Sequence, residues 1–211
     1  MKQLKVLDHP VLQHHLANLR NKDLSSTDFR AALDRAASLM AFEATRDLSL
    51  KTSEVETPFE KTVCQKIADK VVLVPILRAG LGMVEGFLKV LPFAAVGHVG
   101  IYRDKLMNHT IEYYFKLPED HQKRKVLLID PLLATGDTAL AALDRLKDYG
   151  VGGIRFVTLL SCETGIKKVL ERHPDVEIYT ACVERELNDK GYLLPGIGDA
   201  GDRLFNTPDL D

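Results

Sequence analysis

The sequence predicts an α/β fold in which a parallel sheet is connected by crossover helices. From residue 71 onward, short runs rich in β-branched residues alternate with amphipathic stretches, and such alternation is typical of βαβ units. Each amphipathic stretch is short enough to form one crossover helix. The predicted strands cover residues 71–76, 94–102, 125–130, 154–160 and 176–183, and the predicted helices between them cover 82–90, 138–148 and 163–172.

The N-terminal segment, residues 10–48, predicts two helices that pack against this core. Apolar residues recur there at helical spacing, and either Ser25 or Ser26 is a suitable N-cap for the second helix. Within the core, Gly150 and the pair His173-Pro174 are suitable stops for the last two helices.

Two segments follow neither the strand rhythm nor the helix rhythm. Residues 103–118 mix charged and aromatic side chains before a proline, and we expect a hairpin-like excursion from the sheet. Residues 191–211 contain four glycines and two prolines, so we expect irregular structure at this end of the chain. The sequence has no internal repeat, low-complexity tract or interdomain linker, and a single domain is therefore expected for 211 residues.

Composition and charge exclude several classes of protein. The formal net charge of -2 and the pI near 6.4 disfavour a protein that binds nucleic acid by neutralising phosphates. The cysteines Cys64, Cys162 and Cys182 lie far apart without C-x-x-C spacing, which argues against a disulfide framework or a zinc site. Residues 8–10 interrupt any signal-peptide core, and no apolar run is long enough to span a membrane. We therefore expect a soluble, cytoplasmic protein.

The most informative motif is VLLIDPLLATGDT, residues 126–138. A buried strand ends at Asp130, a short loop contains Thr135 and Gly136, and a helix begins at Thr138. Ligands of a doubly wound sheet bind beyond the carboxyl ends of the strands, which places Asp130 at a site. The N–H groups of the loop and the helix N-terminus favour a phosphate, and each charged hydrogen bond contributes about 1.5–3 kcal/mol. The alternative is an ordinary connection in which the same residues only cap the helix.

Asp137 lies inside this loop and would oppose a phosphate. At a separation of about 4 Å, the repulsion is about 4 kcal/mol per unit of charge at the dielectric found near a protein surface. A phosphate site therefore requires the Asp137 side chain to point away from the amides. Coordinates that place its carboxylate among them would exclude the site.

The loop resembles the phosphoribosyl pyrophosphate (PRPP) signature of type I phosphoribosyltransferases, in which an apolar strand and an acid precede T-G-x-T. More narrowly, DPLLATGDT is similar to the form D-P-M-L-A-T-G-G-S of uracil phosphoribosyltransferases, in which a proline follows the acid. Three further segments agree with this subfamily in order and spacing, so that the resemblance extends over essentially the whole chain: VPILRAGLGMVEG (74–86), VGIYRD (99–104) and GYLLPGIGDAGDR (191–203).

The resemblance implies the type I phosphoribosyltransferase fold, with a parallel-sheet core, a C-terminal hood over the site and a protruding β-arm or flap. It also implies pyrimidine salvage, in which uracil and PRPP give UMP and pyrophosphate. Within one domain of residues 1–211, the corresponding parts are N-terminal helices in 1–50, a core in 71–183 with a flap at about 103–118, and a base-recognition hood in 191–207.

Site residues are carried over by the same resemblance. Arg78 and Arg103 correspond to the arginines that bind the diphosphate, and fixed forks of N–H donors suit its oxygens. Asp130 corresponds to the acid that contacts the ribose hydroxyls, and these three residues with Asp199 are assigned to catalysis. Taken alone, each arginine is more often a partner in a surface ion pair, and the resemblance reverses this preference. The residues assigned to PRPP are Arg78, Arg103, Asp130, Pro131, Leu132, Leu133, Ala134, Thr135, Gly136, Asp137, Thr138 and Asp199.

The hood is implied to recognise uracil. Main-chain groups at Leu193, Gly198 and Ala200 correspond to those that read the base edge, Tyr192 lines the pocket, and Asp199 also contacts the ribosyl substrate. Glycines permit this close approach of the backbone. Composition alone would indicate only a flexible glycine-rich loop.

The flap departs from the family pattern. Met107 and Thr110 stand where the usual flap carries a threonine and a proline. Tyr113 and Tyr114 either face the site or pack within the hairpin. Together with Asp137, these departures motivate an alternative, a catalytically weak ligand sensor that regulates a partner.

The resemblance also concerns cofactors and partners. Mg²⁺ is expected to be carried mainly by the oxygens of PRPP, because it keeps several waters and rarely occupies an all-protein cage; no protein residue is assigned as a metal ligand. A homodimer or higher homo-oligomer is expected. Some relatives are activated by GTP, and the sequence leaves open whether this protein is.

Overall fold

The computed structural model of the chain describes residues 3–104 and 109–207, with the backbone alone at 103, 104 and 109. Its helices are α1 (Pro10–Arg20), α2 (Ser26–Ala44), α3 (Leu81–Val90), α4 (Asp137–Asp148), α5 (Glu163–Arg172) and α6 (Ala200–Phe205). Its strands are β1 (Leu4–Val6), β2 (Leu50–Glu56), β3 (Lys61–Ile67), β4 (Val71–Leu77), β5 (Ala95–Val96), β6 (His98–Asp104), β7 (His109–Lys116), β8 (Lys125–Ile129), β9 (Leu132–Leu133), β10 (Ile154–Cys162), β11 (Glu177–Glu184), β12 (Glu186–Leu187) and β13 (Leu193–Leu194).

The central sheet follows the order β1-β11-β10-β8-β4-β6-β7, with β5 beside β4 and β9 beside β10. All pairs along this path are parallel except β6 with β7, which is antiparallel. The predicted α/β fold with a mainly parallel sheet is confirmed. No helix in the part of the chain that the structure describes combines the length and apolar character needed to cross a membrane.

The continuous apolar strands reflect burial on both faces of the sheet, as expected for parallel strands. Val71 and Leu73 of β4 pack on one face with helices α1, α2 and α3. Val72 and Val74 of the same strand pack on the other face with α4 and α5. Because side chains alternate along a strand, one run of valine and leucine contributes to both cores.

The predicted helices are present with small shifts in their bounds. Helix α2 resolves the choice between two serines, because Ser25 is its N-cap and its Oγ accepts a hydrogen bond from the amide of Asp28 at 3.1 Å. Helix α4 begins at Asp137, one residue before the predicted Thr138. Asp137 is therefore part of the helix N-terminus and not only of the loop before it.

Two antiparallel hairpins leave the sheet. Strands β6 and β7 form the expected excursion; Met107 of the predicted flap lies outside the described residues. Strands β2 and β3 pair from Leu50 with Ile67 to Glu56 with Lys61, and we call this hairpin the arm. The strand and helix rhythms of the sequence did not predict the arm, and only the family resemblance implied one.

The prediction of irregular structure after Gly191 was partly wrong. Strands β12 and β13 pair there, and α6 forms a short helix whose N-cap, Asp199, accepts a hydrogen bond from the amide of Asp202 at 3.0 Å. Leu204 of α6 is buried in the core. A helix of six residues is too short to show helical periodicity, and glycine content therefore dominated the sequence pattern.

Because Gly80 has no side chain, the loop after β4 can approach β8 closely. A Cβ atom at this position would lie 2.5 Å from the carbonyl oxygen of Ile129 and 2.7 Å from that of Ile76. Both atoms belong to the backbone of buried strands, so they cannot move aside cheaply.

We expect Gly80→Ala to lower the free energy of unfolding by about 1–3 kcal/mol, the usual cost of overpacking. Urea unfolding followed by circular dichroism measures this change. Gly152→Ala is the matched control, because nothing lies within 4 Å of the added methyl group; it should be neutral or slightly stabilising. Equal losses from the two substitutions would contradict the packing explanation.

Candidate active site

The predicted phosphate loop begins where β8 ends. Asp130 follows Ile129 at the carboxyl edge of the sheet, and its amide donates to the carbonyl of Val157 at 3.2 Å. The carbonyl of Pro131 accepts a hydrogen bond from the amide of Leu160 at 3.0 Å. Strand β9, which holds Leu132 and Leu133, then pairs with β10. The first half of the loop is thus an extension of the sheet, and the side chain of Leu133 is buried in the core.

The second half of the loop, from Ala134 to Gly136, presents N–H groups. Within residues 3–104 and 109–207, the amides of Ala134, Thr135 and Gly136 find no hydrogen-bond acceptor. Gly136 has φ of +86° and is the N-cap of α4, a backbone conformation that glycine adopts at no steric cost. The first amides of a helix also lack partners within it, so the loop and the N-terminus of α4 supply the donors that an anion site requires.

Helix α5 supports the back of this loop. The Cys162 thiol donates to the carbonyl oxygen of Ala134 at 3.1 Å. Gly165, on the first turn of α5, lies so close to the same oxygen that a side chain there would collide with it. Ala134 is therefore held by the end of β10 and the first turn of α5.

Asp137 meets the condition set by the sequence. One carboxylate oxygen accepts a hydrogen bond from the Thr135 hydroxyl at 2.9 Å, and the other forms an ion pair with Lys168 of α5. The carboxylate is thus held by one contact from α5 and by one from a side chain of the loop itself. The phosphate site is therefore not excluded by this acid.

Arg78 leaves the sheet from the loop after β4. The Leu77–Arg78 peptide bond is cis. The side chain reaches the hood, where Nη2 lies 3.2 Å from Oδ1 of Asp202 and Nη1 donates to the hydroxyl of Thr207 at 3.0 Å. The guanidinium is 55% exposed and remains accessible to an anion from the cavity side.

One cavity of about 350 Å³ joins these parts. It brings together Arg78, Asp130, Thr138 and Asp199, four of the residues that the sequence assigned to PRPP. The walls come from β4, β6, β7, the phosphate loop and α6, and the lining residues are Ile76, Leu77, Arg78, Ala79, Ile101, Tyr102, Tyr113, Asp130, Thr138, Asp199 and Gly201.

The two tyrosines of the flap have different surroundings: one faces the cavity, and the other packs within the hairpin. Tyr113 lines the cavity and its ring centroid lies 6.0 Å from that of Tyr102. Tyr114 instead contacts His98, at 6.4 Å between ring centroids. Arg103 lies in β6 opposite Thr110, and its side chain is outside the described residues.

The residues predicted to bind uracil lie in the hood, and most of them do not line this cavity. Asp199 alone of them is among the described lining residues. The side chains of Leu193 and Ala200 are buried, and Tyr192 is 38% exposed. Gly198 has φ of +75°. The contacts of their main-chain groups with a base remain a prediction.

The carboxylates of the cavity affect one another. The pKa of Asp130 lies well above that of an ordinary aspartate, first because its carboxylate is withdrawn from water and second because Asp199 carries the same charge. Apart from Asp130 and Asp199, the cavity is lined by one arginine and by uncharged residues. The floor of the cavity is thus a place where positive charge would be stabilised.

Two arginines that sequence reasoning missed fix the hood loop. Arg203 donates to the carbonyl oxygen of Ile197 at 2.8 Å and to that of Leu19 at 2.5 Å, and its guanidinium lies over the ring of Phe29. Burial lowers the pKa of Arg203. The hood loop is therefore tied to the end of α1.

Arg20 holds the same loop from α1. Its Nη1 donates to the carbonyl of Gly196 at 2.9 Å, and its Nη2 lies 2.6 Å from a carboxylate oxygen of Glu184, whose side chain is only 2% exposed. Arg20 and Gly196 are 176 positions apart, so no local sequence pattern could have indicated this contact.

Comparison with known proteins decides the family. The model of the family described as uracil phosphoribosyltransferase matches residues 6–207. The chain belongs to the uracil phosphoribosyltransferase family. The resemblance found in the sequence is thereby confirmed.

Relatives in this family match nearly the whole chain. The protein from Finegoldia magna named uracil phosphoribosyltransferase is 51% identical over 208 residues, which cover 98% of this chain and 100% of that protein. The protein of the same name from Bacillus cereus is also 51% identical with the same coverage, and the one from Streptococcus equi is 50% identical.

Solved structures support the fold. The AQ2163 protein from Aquifex aeolicus is 36% identical, with a TM-score of 0.91 over 98% of this chain and 99% of that one. Adenine phosphoribosyltransferase from Leishmania donovani is 13% identical, with a TM-score of 0.60 over 90% of this chain and 88% of that one. The second likeness shows the fold alone, and together they confirm the type I phosphoribosyltransferase fold.

The raised pKa of Asp130 predicts a pH-dependent cost to the ligand-free protein. The folded state binds this proton more tightly than the unfolded state, so the stability contribution of Asp130 falls as the pH rises from the ordinary value of 3.8 through the raised pKa. We expect Asp130→Asn, which cannot ionise, to have a higher Tm than wild type at about pH 8 and a shrinking advantage as the pH falls toward about 4.5.

Calorimetry across this pH range measures the effect. Asp199→Asn should give a smaller effect of the same sign, because repulsion by Asp199 is the second cause of the shift, and asparagine keeps the N-cap of α6. A Tm difference that does not change with pH would contradict the assignment.

Proposed function

We propose that the protein transfers the 5-phosphoribosyl group of PRPP to uracil, giving UMP and pyrophosphate in pyrimidine salvage. The observation that carries the proposal is the cavity lined by Arg78, Asp130, Thr138 and Asp199, in which Asp130 and Thr138 flank the phosphate loop along the chain. Membership of the uracil phosphoribosyltransferase family and relatives of that name at about half identity support the choice of substrates.

The ribose phosphate is placed at the amides of Ala134, Thr135 and Gly136 and at the N-terminus of α4. These donors are preorganised, so binding a phosphate costs them little rearrangement. Asp130, at the carboxyl end of β8, then lies beside the ribose. Arg78, and Arg103 by resemblance, bind the diphosphate on the far side of the ribosyl carbon.

The reaction breaks the bond between the ribosyl carbon and the diphosphate, which leaves with the bonding electrons, and forms a bond from that carbon to a ring nitrogen of uracil, whose proton is lost to solvent. As the diphosphate leaves, positive charge builds on the ribosyl group and negative charge on the leaving oxygens. Asp130 and Asp199 favour the first charge and Arg78 the second. Catalysis then rests on fixed electrostatics, and no protein nucleophile is needed.

Magnesium is proposed to enter with PRPP. The carboxylates of Asp130 and Asp199 raise the negative potential of the cavity, and hard oxygen donors of this kind suit Mg²⁺. Among the described residues, no group of three or more His, Cys, Asp or Glu side chains could hold a metal ion. When bound, the ion would neutralise charge on the diphosphate oxygens, with these two aspartates near enough to take part.

Uracil is proposed to bind under the hood, through main-chain groups of Leu193, Gly198 and Ala200 and beside Tyr192. Backbone donors and acceptors can discriminate a base edge only if the loop is held still. Arg20 and Arg203, which bind carbonyls of this loop at 2.9 and 2.8 Å, provide that rigidity.

The arm suggests self-association. Phe59 at its tip is 97% exposed and Val63 on β3 is 65% exposed, and such apolar side chains fit the proposed homodimer or higher homo-oligomer. Activation by GTP and a cytoplasmic location are proposed from the family resemblance alone.

The alternative function, a catalytically weak sensor, is not favoured. One reason for considering a sensor was Asp137. Its carboxylate is bound by the Thr135 hydroxyl and by Lys168 of α5. The other reasons concern the flap, where Thr110 simply continues β7 and Met107 is outside the described residues.

The test supplies labelled uracil, PRPP and Mg²⁺ and measures labelled UMP. Wild-type protein should form UMP, with pyrophosphate released in equal amount. Binding of either ligand without product would support the sensor instead, and product with another base but not with uracil would refute the base assignment.

We expect Arg78→Ala to raise the KM for PRPP by roughly 10- to 100-fold, since hydrogen bonds to charged groups contribute about 1.5–3 kcal/mol. The KM for uracil should change by no more than about threefold. Initial rates over a matrix of both substrates separate the two constants. Arg46→Ala, whose side chain is 66% exposed and pairs with Glu43, is the control; equal losses for both substrates in Arg78→Ala would contradict the role of Arg78.

We expect Arg20→Lys to raise the KM for uracil by about 3- to 10-fold with little effect on that for PRPP. Lysine keeps the charge beside Glu184, but one ammonium lacks the fork that also reaches the carbonyl of Gly196. Arg46→Lys is the matched control for the same exchange at an exposed site. A KM for PRPP that rises as much as that for uracil would show a general loss of structure and contradict a role specific to the base loop.

A further inference from the structure

Asp137 occupies a position where an acid competes with the proposed ligand. It is the first residue of α4, where the unpaired amides and the helix dipole favour a negative charge. A carboxylate there satisfies part of that preference before any phosphate arrives.

Two contacts of the Asp137 carboxylate reduce its competition with a bound phosphate. Both oxygens of the Asp137 carboxylate are engaged outside the amide cradle, one by the hydroxyl of Thr135 at 2.9 Å and the other by Nζ of Lys168. Lys168 lies on α5, 31 positions further along the chain. The carboxylate is therefore both neutralised and turned by a neighbouring helix.

Lys168 also covers the back of the loop with its aliphatic part. Its Cδ lies 3.5 Å from the point that a Cβ at Gly136 would occupy. One side chain thus contacts the glycine that carries the positive φ and pairs with the acid that follows it. Such use of the stem and the charged head together is common for lysine.

The neighbouring lysine does not duplicate this role. Lys167 pairs with Glu163 one turn earlier on α5, at 2.6 Å, and it is exposed to a similar extent as Lys168, at 53% against 45% for the side chains. The two residues therefore have the same type, the same helix and similar exposure, but different partners.

We propose that Lys168 is a positioning residue of the phosphate loop, which holds and neutralises the Asp137 carboxylate so that the loop can bind the ribose phosphate of PRPP. This inference rests on the proposed function. Lys168 acts through Asp137, and it does not itself contact the substrate. Without Lys168, the carboxylate loses its ion pair with α5, and its charge opposes a phosphate at the amides of α4.

The test compares Lys168→Met, Lys168→Arg, Asp137→Asn and the double variant Asp137→Asn/Lys168→Met. Affinity for PRPP is measured by titration calorimetry with Mg²⁺, and initial rates are measured with labelled uracil. Asparagine keeps an acceptor for the Thr135 hydroxyl and removes only the charge. Methionine keeps most of the length and apolar character of lysine.

We expect Lys168→Met to weaken PRPP binding by about 10-fold, because the pair is partly exposed and water screens part of the repulsion. The KM for PRPP should rise by the same factor, while the KM for uracil stays within about twofold. Lys168→Arg should retain affinity within about threefold. In the Asp137→Asn background, Lys168→Met should cause no further loss beyond about twofold. Lys167→Met is the control, and it should leave both constants unchanged.

Each contrary outcome has a distinct meaning. An unchanged affinity in Lys168→Met overturns the inference. An equal loss with and without the Asp137 charge shows that Lys168 acts on the phosphate directly and also overturns it. Wild-type protein that binds PRPP but forms no UMP contradicts the proposed function instead, and the calorimetric comparison of the variants still decides the role of Lys168. Thermal unfolding of every variant confirms that the fold is retained.

Discussion

The site depends on the adjacency of two parallel strands in the middle of the sheet. Strands β4 and β8 pair in parallel, with Pro75 opposite Ile129, so β8 ends two residues before β4, which ends at Leu77. The loop that carries Arg78 and the loop that follows Asp130 therefore leave the sheet side by side. Gly80 permits this closeness, because its Cα faces the carbonyl of Ile129 with no room for a side chain. Binding of an anion and contact with a sugar become possible at one edge as a result of strand order.

The cavity carries charges of both signs. Asp130 and Asp199 line it together with Arg78, and the first turn of α4 reaches it at Thr138. Burial of the Asp130 carboxyl, with the like charge of Asp199 as the second cause, explains why its pKa is raised.

The hood is built differently from the phosphate loop. The phosphate loop is fixed by β10, which pairs with β9, and by the adjoining helix α5. The hood loop is fixed by arginines that bind main-chain carbonyls, Arg20 from α1 and Arg203 from α6. Arg78 joins the two parts through Asp202 and Thr207. A loop without regular structure can thus keep its carbonyls and amides in fixed places.

The sequence by itself determined the main parallel strands, the core helices, the position of Asp130 at a strand end and the family. These follow from local periodicity and from contiguous motifs such as VLLIDPLLATGDT. It also set the condition that Asp137 must satisfy, but the partner, Lys168, became visible only in the tertiary structure. The same is true of Arg20 with Gly196 and of the short helix α6, which the glycine-rich composition hid. Such contacts join positions separated by tens to hundreds of residues, and their geometry is decided by how whole helices pack, which no local pattern of side chains encodes.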